Sequence, residues 1–460
     1  MDQRYNELKK NTLIIAISNI GSKSIAFLLA PIYSHYLDTS QYGVMDLVTT
    51  TVSLVTPIIC LDIYEATFRY SNDDTKESKI LSSSLALAIP SVIALLGVLI
   101  FFIFNQDHEV ILYTSMYLVL NVFCNILEQE NRGYRRMRIF AYAGIVNSVF
   151  LLLFNYVFMI VWKMQLTGWL ISFVSAKACE VIYLLYATKV WKHVAVSSVD
   201  KELINGMLKY CIPLLPTTTM WWIMNASDRY MLTFFVGASA NGIYAVSNKI
   251  PSILSVFERI FYQSWQTSAI RSKNNDDYEE FYSEIFNKYL TIISIGIMAV
   301  MLVSKLIISV LFDAKYITAW YCVMPLLLAV LVHSLSGNLG TIYVTFKKTK
   351  GALTTSFWGA VTNIVLNAIF IPIFGMIAAA YTTLIGYFVT LVVRWIDCQK
   401  FVKIKIDVKN AIFYVAILIV SSVLYYQDNL PSIILRCVIL LAAVIKERET
   451  IVKVFFRFNK

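Results

Sequence analysis

Five ionisable side chains fall where the surrounding sequence offers them no water. Lys23, Asp46, Arg229, Lys249 and Arg259 all lie inside apolar stretches long enough to cross a bilayer. A charge at that depth is costly unless it faces protein or a water-filled cavity, so each is a functional candidate. Lys23 sits about twelve residues into its stretch, roughly 18 Å along a helix, too deep to reach an interface. Fixed cations in a low-dielectric cavity attract an anionic headgroup, which is the chemistry assigned to Lys23, Lys249, Arg229 and Arg259. Asn19, Ser53, Thr218, Trp222, Asn225 and Ser252 add polar contacts, and Asp46 is the candidate for coupling to an ion.

Other chemistry lacks its residues. The four histidines are scattered, and a lone intramembrane His333 reads as a helix contact. The seven cysteines stand singly without a CxxC, which indicates neither a disulfide framework nor a metal site. No nucleotide-binding or zinc motif occurs, so no cofactor is expected and the chain is not expected to be an enzyme. The longest polar stretches, near 189–205 and 271–286, are too short to house a separate active site.

The elements that must position these residues are membrane helices. Of the 460 residues 58% are hydrophobic and 15% charged, with mean hydropathy +0.66, whereas soluble domains carry about 25% charged residues. The apolar runs predict an all-α, polytopic membrane protein of about fourteen spans. They lie near 11–35, 43–69, 81–104, 110–128, 139–162, 166–188, 206–236, 242–270, 287–311, 317–345, 352–372, 375–396, 410–426 and 431–445. The last is short and holds Arg436, which predicts tilting or local thinning of the bilayer. The net charge of +10 comes from basic loops between spans, which signals topology and argues against a nucleic-acid partner. Arg4, Lys9 and Lys10, then Lys76 and Lys79, then Arg132, Arg135, Arg136 and Arg138 begin a series on one side. That series places both termini in the cytoplasm. The tail ETIVKVFFRFNK is expected to lie on the membrane surface.

The chain repeats. A shift of 199 residues brings LDTSQYG, ending at Gly43, onto VGASANG, ending at Gly242. The basic turn RRMR at 135–138 is echoed by KKTK at 347–350. Two pseudo-symmetric six-helix lobes are expected, 1–199 and 200–400, followed by two extra helices and a tail in 401–460. Parallel repeats of this kind place a substrate site between the halves. Helical spacing puts Asn19 and Lys23 on one stripe, and Thr218, Trp222, Asn225 and Arg229 on its counterpart. Asp46, Thr50 and Ser53 pair in the same way with Ala245, Lys249 and Ser252. Interhelical glue explains the small and hydroxylated residues but not the two lysines, which favour a polar cavity. Lys177 and Glu180 read as a structural pair, and Asp228 as charge compensation near the outer side.

The run LKKNTLIIAISNIGSKSIAFLLAPIYSHYLDTSQYGVMDL, followed by EATFRY, resembles the polysaccharide biosynthesis (oligosaccharide repeat-unit) flippases of the multidrug/oligosaccharidyl-lipid/polysaccharide exporter superfamily. The resemblance implies two six-helix lobes around a cationic central cavity. It also implies translocation of an undecaprenyl-diphosphate-linked oligosaccharide from inner to outer leaflet of the bacterial cytoplasmic membrane by alternating access. Lys23 and Lys249 match the cationic cavity in position; Arg229 and Arg259 are assigned from the residues alone. The implied partners are the lipid-linked oligosaccharide, membrane lipid, a coupling H+ or Na+, and polysaccharide assembly proteins. The rival readings are a lipid II (peptidoglycan precursor) flippase and, against the cavity lysines, a cation-coupled multidrug exporter.

Overall fold

The computed structural model describes residues 27–71, 76–103, 109–212, 215–346 and 348–448. They are helical, with no strand among the described residues. The helices are α1 (27–36), α2 (Thr39–Ile59), α3 (Ile63–Ser71), α4 (Glu77–Ile103), α5 (Glu109–Gly133), α6 (Met137–Asn155) and α7 (Gln165–Thr188). There follow α8 (Lys201–Cys211), α9 (Leu215–Phe235), α10 (Ala238–Ser272), α11 (Tyr278–Leu311), α12 (Trp320–Thr345), α13 (Thr349–Cys398), α14 (Val408–Gln427) and α15 (Leu430–Lys446). Among the described residues nine helical segments are long and apolar enough to cross a membrane. The protein is thus a multi-pass helical membrane protein.

Two compact units divide the chain at the middle of α9, Met1–Trp222 and Ile223–Lys460. In the first, α5 packs against α3, α4 and α7, and α6 lies along α7. Leu81, Ala88, Val122, Ile126 and Leu184 form its apolar centre. In the second, α12 is central, flanked by α10, α11 and α13, while α14 and α15 pack on α11. Leu232, Tyr244, Leu326 and Ile371 meet in its core.

The repeat keeps its register in the helix starts. Asp38 caps α2 through a capping box, its carboxylate accepting the Gln41 N–H at 2.7 Å while the Gln41 side chain accepts the Asp38 N–H at 3.2 Å. The equivalent position before α10 is Gly237, at φ 117°. Such a φ is open to glycine at no steric cost, so the two halves reach the same start with different residues. The two basic turns agree as well, α6 beginning at Met137 of RRMR and α13 at Thr349 of KKTK.

Two expected spans are not single helices. The 43–69 span breaks after α2, where Leu61 and Asp62 take left-handed φ values of 51° and 54°. Pro57 lies in the last turn of α2, and its carbonyl accepts the Asp62 N–H at 2.9 Å, closing the end. The 206–236 span divides into α8 and α9. The expected pair 352–372 and 375–396 is present as the two arms of α13, joined at Gly375 (φ 61°, ψ −138°). Arg436 lies inward rather than at the lipid boundary: it is 7% exposed, with its guanidinium 5.6 Å from the Tyr425 ring centre. Its charge is therefore met by protein.

Candidate functional site

The polar stripe predicted on the second span lies on α2 in the first unit. Asp46 and Thr50 are buried on α2, and Ser53, one turn further, is exposed. The Thr50 carbonyl accepts the Ser53 hydroxyl at 2.7 Å and the indole N–H of Trp222 at 3.1 Å. The structure thus brings together Trp222 and Thr50, two residues singled out on separate spans. On α10 the counterpart stripe repeats the pattern: Ala245 is buried, Lys249 half-buried and Ser252 exposed. Ser252 donates to the Lys249 carbonyl at 2.6 Å, the same bond that Ser53 makes.

The remaining predicted residues are dispersed. Arg259 is exposed on α10, ten residues from Lys249, about 15 Å along the axis at 1.5 Å per residue. Arg229 is half-buried on α9. Lys23 and Asn19 lie outside the described residues, as do the side chains of Thr218 and Asn225.

Asp228 lies inside the second unit. It is 6% exposed and accepts the Tyr244 hydroxyl at 2.5 Å, the Arg229 backbone N–H at 2.9 Å and the Thr383 hydroxyl at 3.5 Å. It is a buried acceptor with donors from α9, α10 and α13. The network continues through α13: the Asn363 amide donates to Thr383 at 3.5 Å and its oxygen accepts from Ser227 at 3.3 Å and Asn367 at 3.1 Å. Thr382 donates to the Asn367 oxygen. Close approach of the two arms of α13 makes this possible, because a Cβ on Gly386 would stand 2.8 Å from the Asn363 Cβ. Asp228, Asn363, Asn367, Thr382 and Thr383 together offer oxygen donors of the kind that suit a hard cation. Sequence reading missed the set because its members are spread over α9 and the two arms of α13.

Two further ionisable residues find partners. Lys177 donates to Glu180 at 2.7 Å, as expected, and lies 3.7 Å from the Cys124 sulfur. The Cys124, Glu128 and Glu180 donor atoms lie within 4.8 Å of one another, yet the Lys177 ammonium already supplies a cation to that group. His333 makes the helix contacts expected of it, its Nδ1 lying 2.9 Å from Glu258 Oε1 and its ring 4.8 Å from that of Tyr387.

The fold is shared with membrane transporters of known structure. The chain is similar to "Lipid II flippase MurJ, inward closed conformation" (TM-score 0.72, 14% identity, covering 95% of this chain and 100% of that one). It is also similar to the inward-facing conformation of a multidrug resistance MATE family transporter of the MOP superfamily (TM-score 0.69, 12% identity, 85% and 97% covered). A MOP superfamily transporter from Pyrococcus furiosus, described as having a binding pocket of reverse polarity, matches with TM-score 0.59 at 12% identity, over 85% and 95% of the chains. No curated protein matches the sequence. The model of the polysaccharide biosynthesis protein family matches residues 8–265, more than half of the chain, and the protein belongs to that family.

Proposed function

We propose that the protein is a flippase that carries an undecaprenyl-diphosphate-linked oligosaccharide repeat unit from the inner to the outer leaflet of the bacterial cytoplasmic membrane by alternating access. The observation that carries this reading is membership of the polysaccharide biosynthesis family in a chain with a transporter fold. The substrate's diphosphate is an anion that lipid excludes. Lys249, half-buried on the polar face of α10, and Lys23 are the groups proposed to meet it, with Arg229 and Arg259 in support. Trp222, Ser53 and Ser252 supply an aromatic ring and hydroxyls for the glycan. Both termini are placed in the cytoplasm by the basic loops. Polysaccharide assembly enzymes would act on the product at the outer face.

For ion coupling, buried Asp46 remains a candidate, and Asp228 joins it because its oxygens lie among hydroxyl and amide groups. The second reading, a lipid II flippase, is favoured by the likeness to MurJ over the full length of that chain. A multidrug exporter for cationic substrates fits the lysines poorly.

Complementation decides between them. In cells lacking the exporter of a surface glycan, the wild-type chain is expected to restore that glycan. Lys23→Ala and Lys249→Ala, present at wild-type levels, are expected to leave lipid-linked repeats on the inner leaflet. Unchanged surface glycan in both variants overturns the diphosphate assignment. Rescue of lipid II flipping without restored glycan selects the second reading.

A further inference from the structure

The basic end of the first unit holds a carboxyl group that nothing in the proposed transport site uses. Glu130, in the last turn of α5, is 0% exposed, and among the described residues neither of its oxygens has a hydrogen-bond partner. A second carboxyl, Glu77 at the start of α4, is held at this end of α5 through Arg136, whose backbone N–H donates to the Asn131 carbonyl at 2.7 Å. Both oxygens of Glu77 are already engaged by Arg136, at 2.7 and 2.6 Å in a two-pronged pair. Two carboxyls therefore share one guanidinium, and the guanidinium is committed to one of them.

From this geometry we infer that Glu130 and Glu77 form a proton-binding site, with the proton carried on Glu130 and donated to a Glu77 oxygen. Two ionised carboxylates are acceptors only and cannot hydrogen-bond to each other, whereas one added proton supplies the missing donor. An ionised Glu130 would instead be a buried charge with no donor at all, which a folded interior does not sustain. The proton comes from water, and its uptake reduces the charge of the trio Glu77, Glu130 and Arg136 from minus one to zero.

The other charged groups nearby do not supply the missing partner. His193 approaches Glu77 Oε1 at 4.0 Å, from the loop after α7. Arg132 stacks its guanidinium over Phe68 at 4.5 Å, and α3 presents Glu65 toward it. The α7 charges Lys177 and Glu180 meet α5 at Cys124 and Glu128, on a different part of the helix. Outside the helices, burial beside Glu130 and Glu77 pushes the Tyr134 phenol up to about 12, and the Glu77 hydrogen bond raises Arg136. Both stay protonated across the neutral range and supply no exchangeable proton there. Release of the Glu130 proton places two negative charges against one guanidinium where α4, α5 and α6 meet. The inference concerns proton binding by the protein alone and stands apart from the identity of the transported lipid.

Infrared difference spectroscopy on the full-length protein in lipid nanodiscs tests it, with pH as the only titrant. A protonated-carboxyl band is expected at neutral pH, to be lost in Glu130→Gln, whose neutral amide keeps the fold. Glu77→Gln removes the competing anion and releases Arg136 to Glu130, so it is expected to abolish the same band by ionising Glu130. A wild-type protein without a protonated carboxyl at neutral pH overturns the proposal, as does a band unchanged in folded Glu130→Gln. Should Glu130→Gln fail to fold, an unchanged band in Glu77→Gln overturns it and loss of that band supports it.

Discussion

Tyr244 donates its hydroxyl to Asp228 Oδ2 at 2.5 Å, joining α10 to α9 inside the second unit, with both side chains buried. A hydrogen bond to a charged group is worth about 1.5–3 kcal/mol, and losing it removes one of the donors that Asp228 accepts from. Tyr244→Phe is therefore expected to lower stability by about that amount, read as a lower midpoint of thermal unfolding in detergent. Asp228→Asn keeps the shape and removes the charge. If Asp228 is the coupling carboxylate, Asp228→Asn is expected to make glycan export insensitive to the driving cation gradient, while Asp46→Asn remains sensitive. The opposite pattern returns the role to Asp46.

The sequence made one class of feature legible and hid another. Helix starts, the shift of 199 residues between α2 and α10, and the Lys177–Glu180 pair all depend on neighbours within a few residues or on repeated spacing. Periodicity can find those. Glu258 and His333 lie 75 positions apart, and Asp228 and Thr383 are 155 apart. No spacing rule links such residues, because the pairing is decided by which helices pack together. The break at Leu61–Asp62 was hidden for a different reason. Neither residue is a glycine, so the apolar run continues through a turn that the backbone makes in the left-handed region. Asp62 stands as a charge inside that apolar run, and in the structure it marks the bend.

The two arms of α13 cross where Gly359 meets Gly386. A Cβ on Gly386 would lie 2.8 Å from the Asn363 Cβ and 3.2 Å from the Gly359 carbonyl oxygen, so backbone must move to admit it. Gly386→Ala is expected to cost about 1–3 kcal/mol by overpacking and to disturb the Asn363–Thr383 bond that supports Asp228. Gly97 on α4 is the control, having nothing within 4 Å of the added carbon. Gly97→Ala is expected to stabilise by about 0.5–1 kcal/mol through backbone entropy. Thermal unfolding of both variants checks the contrast, and equal midpoints would remove the crossing from the argument.

Asp200 links the first unit's basic end to α8. It accepts the Glu202 and Leu203 amides at 3.0 and 3.2 Å, capping the helix, and it pairs with Lys79 at 2.8 Å. The Lys79 hydrogen bond holds the Asp200 carboxyl below its ordinary range. The sign follows from that depression. The contribution is fully present above the ordinary carboxylate pKa of about 3.9, and is lost as pH falls through the lower folded value. Amide exchange at Glu202 and Leu203, corrected for intrinsic rates, is therefore expected to accelerate as pH falls below about 4. Added salt should weaken the ion pair, because both side chains are partly exposed. Asp200→Asn retains an N-cap acceptor without the charge, so its exchange should be flat through the same acid range and insensitive to salt. Asp200→Ala should exchange faster at every pH. A wild-type profile as flat as that of Asp200→Asn would show that the cap, and not the Lys79 pair, holds this end of α8.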